Sequence, residues 1–128
     1  MTDAIEKEIQ EKGLAAPRVT PADLHSNIAS EHYFTAFDGT CGAYRNNGDV
    51  HVGSMPSAIS SISLPLLTFC VLILKNGFTV TGESACASPE NFDEEIGRKI
   101  ARQNAEQKIW PLMGYELKQR LAQSGAGQ

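Results

Sequence analysis

The stretch Leu67-Thr-Phe-Cys-Val-Leu-Ile-Leu-Lys75-Asn76-Gly77-Phe78-Thr-Val80-Thr-Gly82-Glu83-Ser84-Ala-Cys86-Ala-Ser88-Pro89-Glu-Asn-Phe92-Asp-Glu-Glu-Ile96-Gly97-Arg98 decides the fold. It reads as a hairpin, a turn of small residues and a capped helix. Asn76-Gly77 is the preferred two-residue hairpin turn, because both positions need positive φ. That turn predicts Lys75 opposite Phe78, Ile73 opposite Val80 and Phe69 opposite Ser84. One face then carries Phe69, Val71, Ile73, Phe78 and Val80. The other sets Cys70, Leu72 and Leu74 against Thr79, Thr81 and Glu83. The first strand is apolar on both faces, so it should be interior or covered. A hairpin alone is marginal, and a third strand is expected at 49–53, where Val50 and Val52 alternate with polar residues after the turn Asn46-Asn47-Gly48-Asp49.

The helix after the hairpin is expected to start at Ser88, with Ser88 as cap and Pro89 in the first position. Glu90, Asp93, Glu94 and Glu95 load its N-terminal end with acid, as the helix dipole favours. Phe92, Ile96, Ile100 and Trp110 fall within one apolar arc at the helical period. Asn104 lies near that arc, where it either bonds a neighbouring backbone group or meets a second subunit. Gly97 on the same arc would let another backbone approach closely. Pro111 is expected to kink or interrupt the helix. Leu112, Leu117 and Leu121 follow, and 123–128 reads as a disordered tail.

Upstream, 3–12 reads as a short helix with Ile5 and Ile9 on one face, Thr2 as cap and Gly13 as stop. Thr20-Pro21-Ala22-Asp23 is a second helix start, and Leu24, Ile28 and His32 form a stripe predicting helix to about Tyr33 or Phe34. Residues 36–66 are the least regular part, and the Ser-rich run 54–63 reads as a mobile surface loop. The fold class is therefore α+β: N-terminal helices, a small antiparallel sheet built on the hairpin, and a long C-terminal helix packed on it. A single domain over 1–122 fits the 128-residue length.

The net charge of −4, with scattered Lys and Arg, gives no basic stripe and argues against nucleic-acid binding. The apolar run 69–74 is far too short to span a bilayer. The acidic N-terminus and the odd set Cys41, Cys70 and Cys86, without CxxC spacing, predict a cytosolic chain with reduced thiols. His25, His32 and His51 form no metal motif, and no metal or cofactor is expected. No Walker loop, GxGxxG, GxSxG or paired-carboxylate signature is present, so no enzymatic activity is expected.

The turn 82–88 is the first candidate binding site. Its small residues admit a ligand to the backbone, and it leads into a helix N-terminus that favours anions. Ser84 and Ser88 offer hydroxyls. Glu83 either meets a ribose hydroxyl or base edge, or pairs with a basic residue such as Arg98 or Lys99. Cys86, just before the helix, is either an activated thiol or an inert one. Tyr33, beside His32 at the expected helix end, either lines a pocket or packs at the core edge. The other reading of the whole turn is a tight connection capped by Ser88. The ligand-binding set is thus Glu83, Ser84, Cys86, Ser88, Tyr33 and Arg98, for a small anion or a nucleotide. A homo-oligomer is expected, because Trp110, Leu112, Leu117 and Leu121 exceed what one small sheet can cover.

Lys75-Asn-Gly-Phe-Thr-Val-Thr-Gly-Glu-Ser-Ala-Cys86, Asn91-Phe-Asp-Glu-Glu-Ile-Gly-Arg-Lys-Ile-Ala101 and Ile109-Trp-Pro-Leu-Met-Gly-Tyr115 resemble small tailed-phage and prophage proteins typified by gene 49 of phage N four and gene 66 of phage Sf six. Residues 20–34 resemble that family's N-terminal helix. The segment 36–64 and the extra helix at 3–12 look like additions. The resemblance implies phage origin and expression in a bacterial host cytoplasm, and it implies no mechanism. In that setting the expected role is an accessory protein acting on the host. It would be a non-catalytic binder, in one form capturing a nucleotide immune signal. The alternative is a module that inhibits or redirects a host protein.

Overall fold

The computed structural model describes residues 3–125. The order is α1 (Asp3–Glu11), α2 (Pro21–Ser26), β1 (Ile28–Thr35), α3 (Ala36–Asn47), α4 (Ala58–Ser63), β2 (Leu67–Leu74), β3 (Thr79–Ala85) and α5 (Glu94–Gln123). Short 3-10 turns precede β2 and follow β3. The sheet is antiparallel in the order β1-β2-β3, with α5 packed on one side, so the expected α+β architecture holds.

The third strand is not 49–53. It is β1, inside the segment expected to be helical. The capping box of Thr20 and Asp23 starts α2 as anticipated, but that helix stops at Asn27. The Asn27 carbonyl accepts from Lys75 N–H at 3.0 Å, tying the end of α2 to the hairpin tip. β2 is apolar on both faces and needs a neighbour on each edge. Ile28-Ala-Ser-Glu-His-Tyr-Phe-Thr35, rich in aromatic and β-branched residues, supplies one. An irregularity between Ile28 and Ser30 shifts the β1 register, turning Ile28 toward Leu74 and the core.

The hairpin is shifted by one residue from the predicted pairing. Leu72 faces Val80 and Phe69 faces Glu83. Leu74 N–H donates to Phe78 O and Gly77 N–H to Leu74 O, so the connection is Lys75-Asn76-Gly77. Only Gly77 has positive φ (+91°). Asn76 stays out of the left-handed region, and its side chain accepts from Phe78 N–H. This three-residue loop replaces the two-residue turn. A one-residue slip exchanges the faces of one strand relative to the other. The buried side is therefore Thr68, Cys70, Leu72 and Leu74 with Val80 and Gly82.

The long helix begins at Glu94 with Asp93 as its cap, not at Ser88. Its inward face is Gly97, Ala101, Ala105 and Ile109, at i,i+4 spacing. The predicted arc is rotated away by one residue, about 100°. Ile96 is 56% and Ile100 41% exposed. The cause is Gly82. A Cβ built there would lie 2.2 Å from Ala105 N and 2.3 Å from Ala101 O, so helix and strand backbones touch. Small residues permit that approach, and isoleucines would hold the helix off. Asn104 Nδ2 donates to the Glu83 carbonyl at 2.8 Å, which is the first of the two roles open to it. α5 runs through Pro111 without a break. Pro111 is exposed, so water can serve the carbonyl it leaves unpaired.

The irregular stretch expected at 36–66 contains α3 and α4, each with a capping box, from Thr35 with Asp38 and from Ser57 with Ser60. The Tyr44 hydroxyl pins the loop between them through the Gly53 and Ser54 carbonyls. At the other end, Ser124 closes α5. The Thr2 cap and residues 126–128 lie outside the described residues. α1 is fastened by Arg18, which donates to both carboxylate oxygens of Glu6 at 2.7 and 2.8 Å.

Two predictions follow from this packing. Gly82→Ala should cost at least ~3 kcal/mol in chemical denaturation, since the obstruction is backbone that cannot yield. Gly114→Ala, in open space on the same helix, should instead stabilise by about 0.5–1 kcal/mol. The Arg18 hydrogen bonds hold the Glu6 carboxyl below its ordinary range. A depressed carboxyl favours the folded contact above the unfolded pKa and loses that help as pH falls through the folded one. The protection factors of the α1 amides should therefore fall below about pH 4, and Glu6→Gln should lower them at neutral pH.

Candidate functional site

Directly opposed residues of an antiparallel sheet share a face. Thr68 on the central strand is opposite Thr35 on β1 and Ser84 on β3, so three hydroxyl residues form a row on the α5 side. The next row is Tyr33, Cys70 and Gly82. α5 crosses these rows with Gly97 above Thr68, where an added Cβ would come within 3.1 Å of Thr68 Oγ1. Beside this contact lies a cavity of about 120 Å³ lined by Tyr33, Phe34, Thr35, Asp38, Thr68, Phe92, Glu94 and Arg98.

Thr68 is the residue that marks the cavity. It is 3% exposed, and its hydroxyl has no hydrogen-bond partner, the only such buried side-chain atom among the described residues. Burying an unpaired hydroxyl costs free energy that folding alone does not recover. Its neighbours are otherwise engaged. Thr35 Oγ1 accepts from Asp38 N–H at 3.1 Å, and Asp38 Oδ2 accepts from Thr35 N–H at 3.1 Å. Burial raises the Tyr33 phenol above its ordinary pKa, with a further push from the adjacent Cys70. It stays a neutral hydroxyl near physiological pH. Burial likewise raises the Cys70 thiol, a protonated core residue. At the rim, Arg98 and Glu94 are 3.8 Å apart, beyond a proper hydrogen bond. Most of the Arg98 donors remain available to a ligand.

The six sequence-derived candidates divide. Tyr33 and Arg98 line the cavity, and Ser84 is the cross-strand neighbour of its floor. Glu83, Cys86 and Ser88 do not line it. Glu83 lies on the opposite face, and neither basic partner considered for it is engaged there: Arg98 pairs with Glu94 and Lys99 with Glu95. Cys86 extends the ladder through its N–H to Leu66 O, and its thiol donates to Ser88 O at 3.2 Å. The Ser88 hydroxyl donates to Glu90 and accepts from no N–H of a helix N-terminus. With α5 starting at Glu94, the turn 82–88 has no long-helix N-terminus beside it to attract an anion. Thr68, Thr35, Asp38 and Glu94 went unnoticed as site residues. The available signal was a threonine inside an otherwise apolar strand.

The family model described as "Phage protein (N4 Gp49/phage Sf6 gene 66) family" matches residues 19–121. The chain belongs to this family. The matched region takes in the whole sheet, the cavity residues and all but the end of α5, and it leaves α1 outside. No curated protein and no solved structure matches the chain. Membership makes this a phage protein. No helix among the described residues is long and apolar enough to cross a membrane.

Thr68→Val keeps the shape and removes the unpaired hydroxyl. It should raise stability by about 1–2 kcal/mol in denaturant titrations. A loss of stability would mean that the hydroxyl is satisfied within the protein.

Proposed function

We propose that this phage-encoded protein is a non-catalytic binding protein, acting in the host cytoplasm, that holds a small ligand in the cavity between β1, β2 and the start of α5. The observation that carries the proposal is the cavity itself, with Thr68, a buried residue whose hydroxyl has no hydrogen-bond partner, among its lining. A residue kept at a stability cost suits a site completed by something from outside. Arg98 at the rim offers charge-assisted hydrogen bonds to an anionic group. A small anion fits the cavity whole. A nucleotide, including a host immune signal, would insert only part of itself into about 120 Å³.

Native mass spectrometry of the protein from its bacterial host tests this. The wild type should retain a small molecule that Thr68→Val releases, with no chemical change in what is released. Identical ligand-free spectra for both proteins would sink the capture reading.

A second reading rests on a different observation. A groove of about 1020 Å³ runs between residues 17–19, the hairpin tip and the second half of α5, with Phe78, Leu112, Met113 and Leu117 on its walls. Phe78 and Leu112 are exposed there. Such a surface suits a protein contact, either a second copy or a host protein that the phage inhibits or redirects. Under this reading Leu112→Glu should shift the oligomeric state by light scattering, or abolish capture of a host partner, while Thr68→Val should leave both unchanged.

A further inference from the structure

Independently of both readings above, we infer that β1 is a docking edge for a second copy of the chain, with the two β1 strands antiparallel, Glu31 opposite Tyr33 of the second copy and His32 on the two-fold axis. The direction of the backbone groups comes first. Leu74 spends its N–H and its carbonyl on the hairpin loop, toward β3, while Lys75 N–H donates to Asn27 O on the β1 side. Bonding direction alternates along an antiparallel strand. Ile73, Val71 and Phe69 therefore bond to Ser30, His32 and Phe34, their partners in β1. Glu31, Tyr33 and Thr35 point their backbone groups away from the sheet. The Thr35 N–H is taken by Asp38. Among the described residues no turn, loop or cap bond reaches the backbone of Glu31 or Tyr33. The strand holds neither proline nor lysine, two common guards of an edge, and Ala29, Glu31, His32 and Phe34 are exposed.

A strand paired antiparallel with its own copy, across an axis normal to the sheet, meets itself at one residue. That residue sets the register. Centred on Glu31, two carboxylates would stand directly opposite, where like charges repel. The Tyr33 groups would then face Ala29, inside the irregularity between Ile28 and Ser30. Centred on Tyr33, the Glu31 carbonyl would need the Thr35 N–H, which Asp38 holds. Centred on His32, every outward group of Glu31 and Tyr33 meets its complement on the second copy. Arg102 of α5 already pairs with Glu31, so that carboxylate brings no bare charge to the contact. On the other face Phe34, 39% exposed, comes to lie opposite Ser30 of the second copy. Main-chain bonds of this kind carry strand-addition complexes. The fit of the strand to itself in one register names the second copy as the occupant.

Light scattering and a cysteine scan of the full-length chain test this. The wild type should have at least twice the mass of one chain. Glu31→Pro removes an outward N–H, which an edge strand tolerates. It should keep the circular dichroism spectrum and halve the mass. The scan stands on its own should that variant misfold. It uses a chain with Cys41→Ser and Cys86→Ser, in which only the buried Cys70 remains. His32→Cys sets two Cα atoms about 4.5 Å apart, within disulfide reach, and should give covalent dimers on mild oxidation. Glu31→Cys and Tyr33→Cys should give far fewer, since neither meets itself in this register. A monomeric wild type overturns the inference, and so does an assembly that a folded Glu31→Pro leaves at full mass. Crosslinking that fails at 32, or is stronger at 31 or 33, overturns the register.

Discussion

The backbone of α5 rests on the backbone of β3 at Gly82, where Ala101 and Ala105 leave no room for a methyl group. Most of the architecture depends on this contact. It fixes which face of the helix turns inward, so Gly97, Ala101, Ala105 and Ile109 are buried while Ile96 and Ile100 face out. It also sets the height of the helix above the sheet. Beyond the contact, Leu72, Leu74, Val80 and Ile109 fill the layer with larger side chains, and Ile28, Tyr33, Trp110 and Met113 close its margin. Toward the N-terminal end of α5, Gly97 adds nothing over the hydroxyl row of the sheet.

The architecture was legible in the sequence where local chemistry decides it. Alternation and Asn76-Gly77 mark a hairpin, and the acid-rich start with a long periodic run marks the last helix. What the sequence did not disclose depended on partners distant in the chain. Ile28, His32 and Leu24 have helical spacing, yet 28–35 became a strand because β2 needed a second edge neighbour. The hairpin register turned on whether Asn76 would take positive φ, and hydrogen bonds from the loop gave that conformation to Gly77 alone. The inward face of α5 was misread because large apolar residues outweigh glycine and alanine in any hydrophobic pattern. Close packing chose the small residues.

The site was legible in part, for the same reason. Tyr33 is singled out by its place at an expected helix end and Arg98 as a possible partner of Glu83, and they meet only because β1 joins the sheet and α5 rotates. Glu83 was placed on the wrong side by the register slip. Thr68 carried almost no signal, because a threonine in a strand is ordinary until its hydroxyl is known to lack a partner. Such a vacancy belongs to the tertiary structure and has no sequence pattern.

The two edges of the sheet differ in a way that bears on how copies of the chain could join. Along β3, Asn104 occupies the Glu83 carbonyl and Lys108 reaches Thr81 Oγ1 at 3.5 Å, so side chains of α5 stand where another strand would have to pair. β1 is the outer strand on the other side. A sheet blocked on one edge can add a neighbour on the other edge only. Two copies meeting through β1 would use up the edge available to each, and the assembly would close as a pair. One asparagine and one lysine on a helix thus occupy part of the β3 edge.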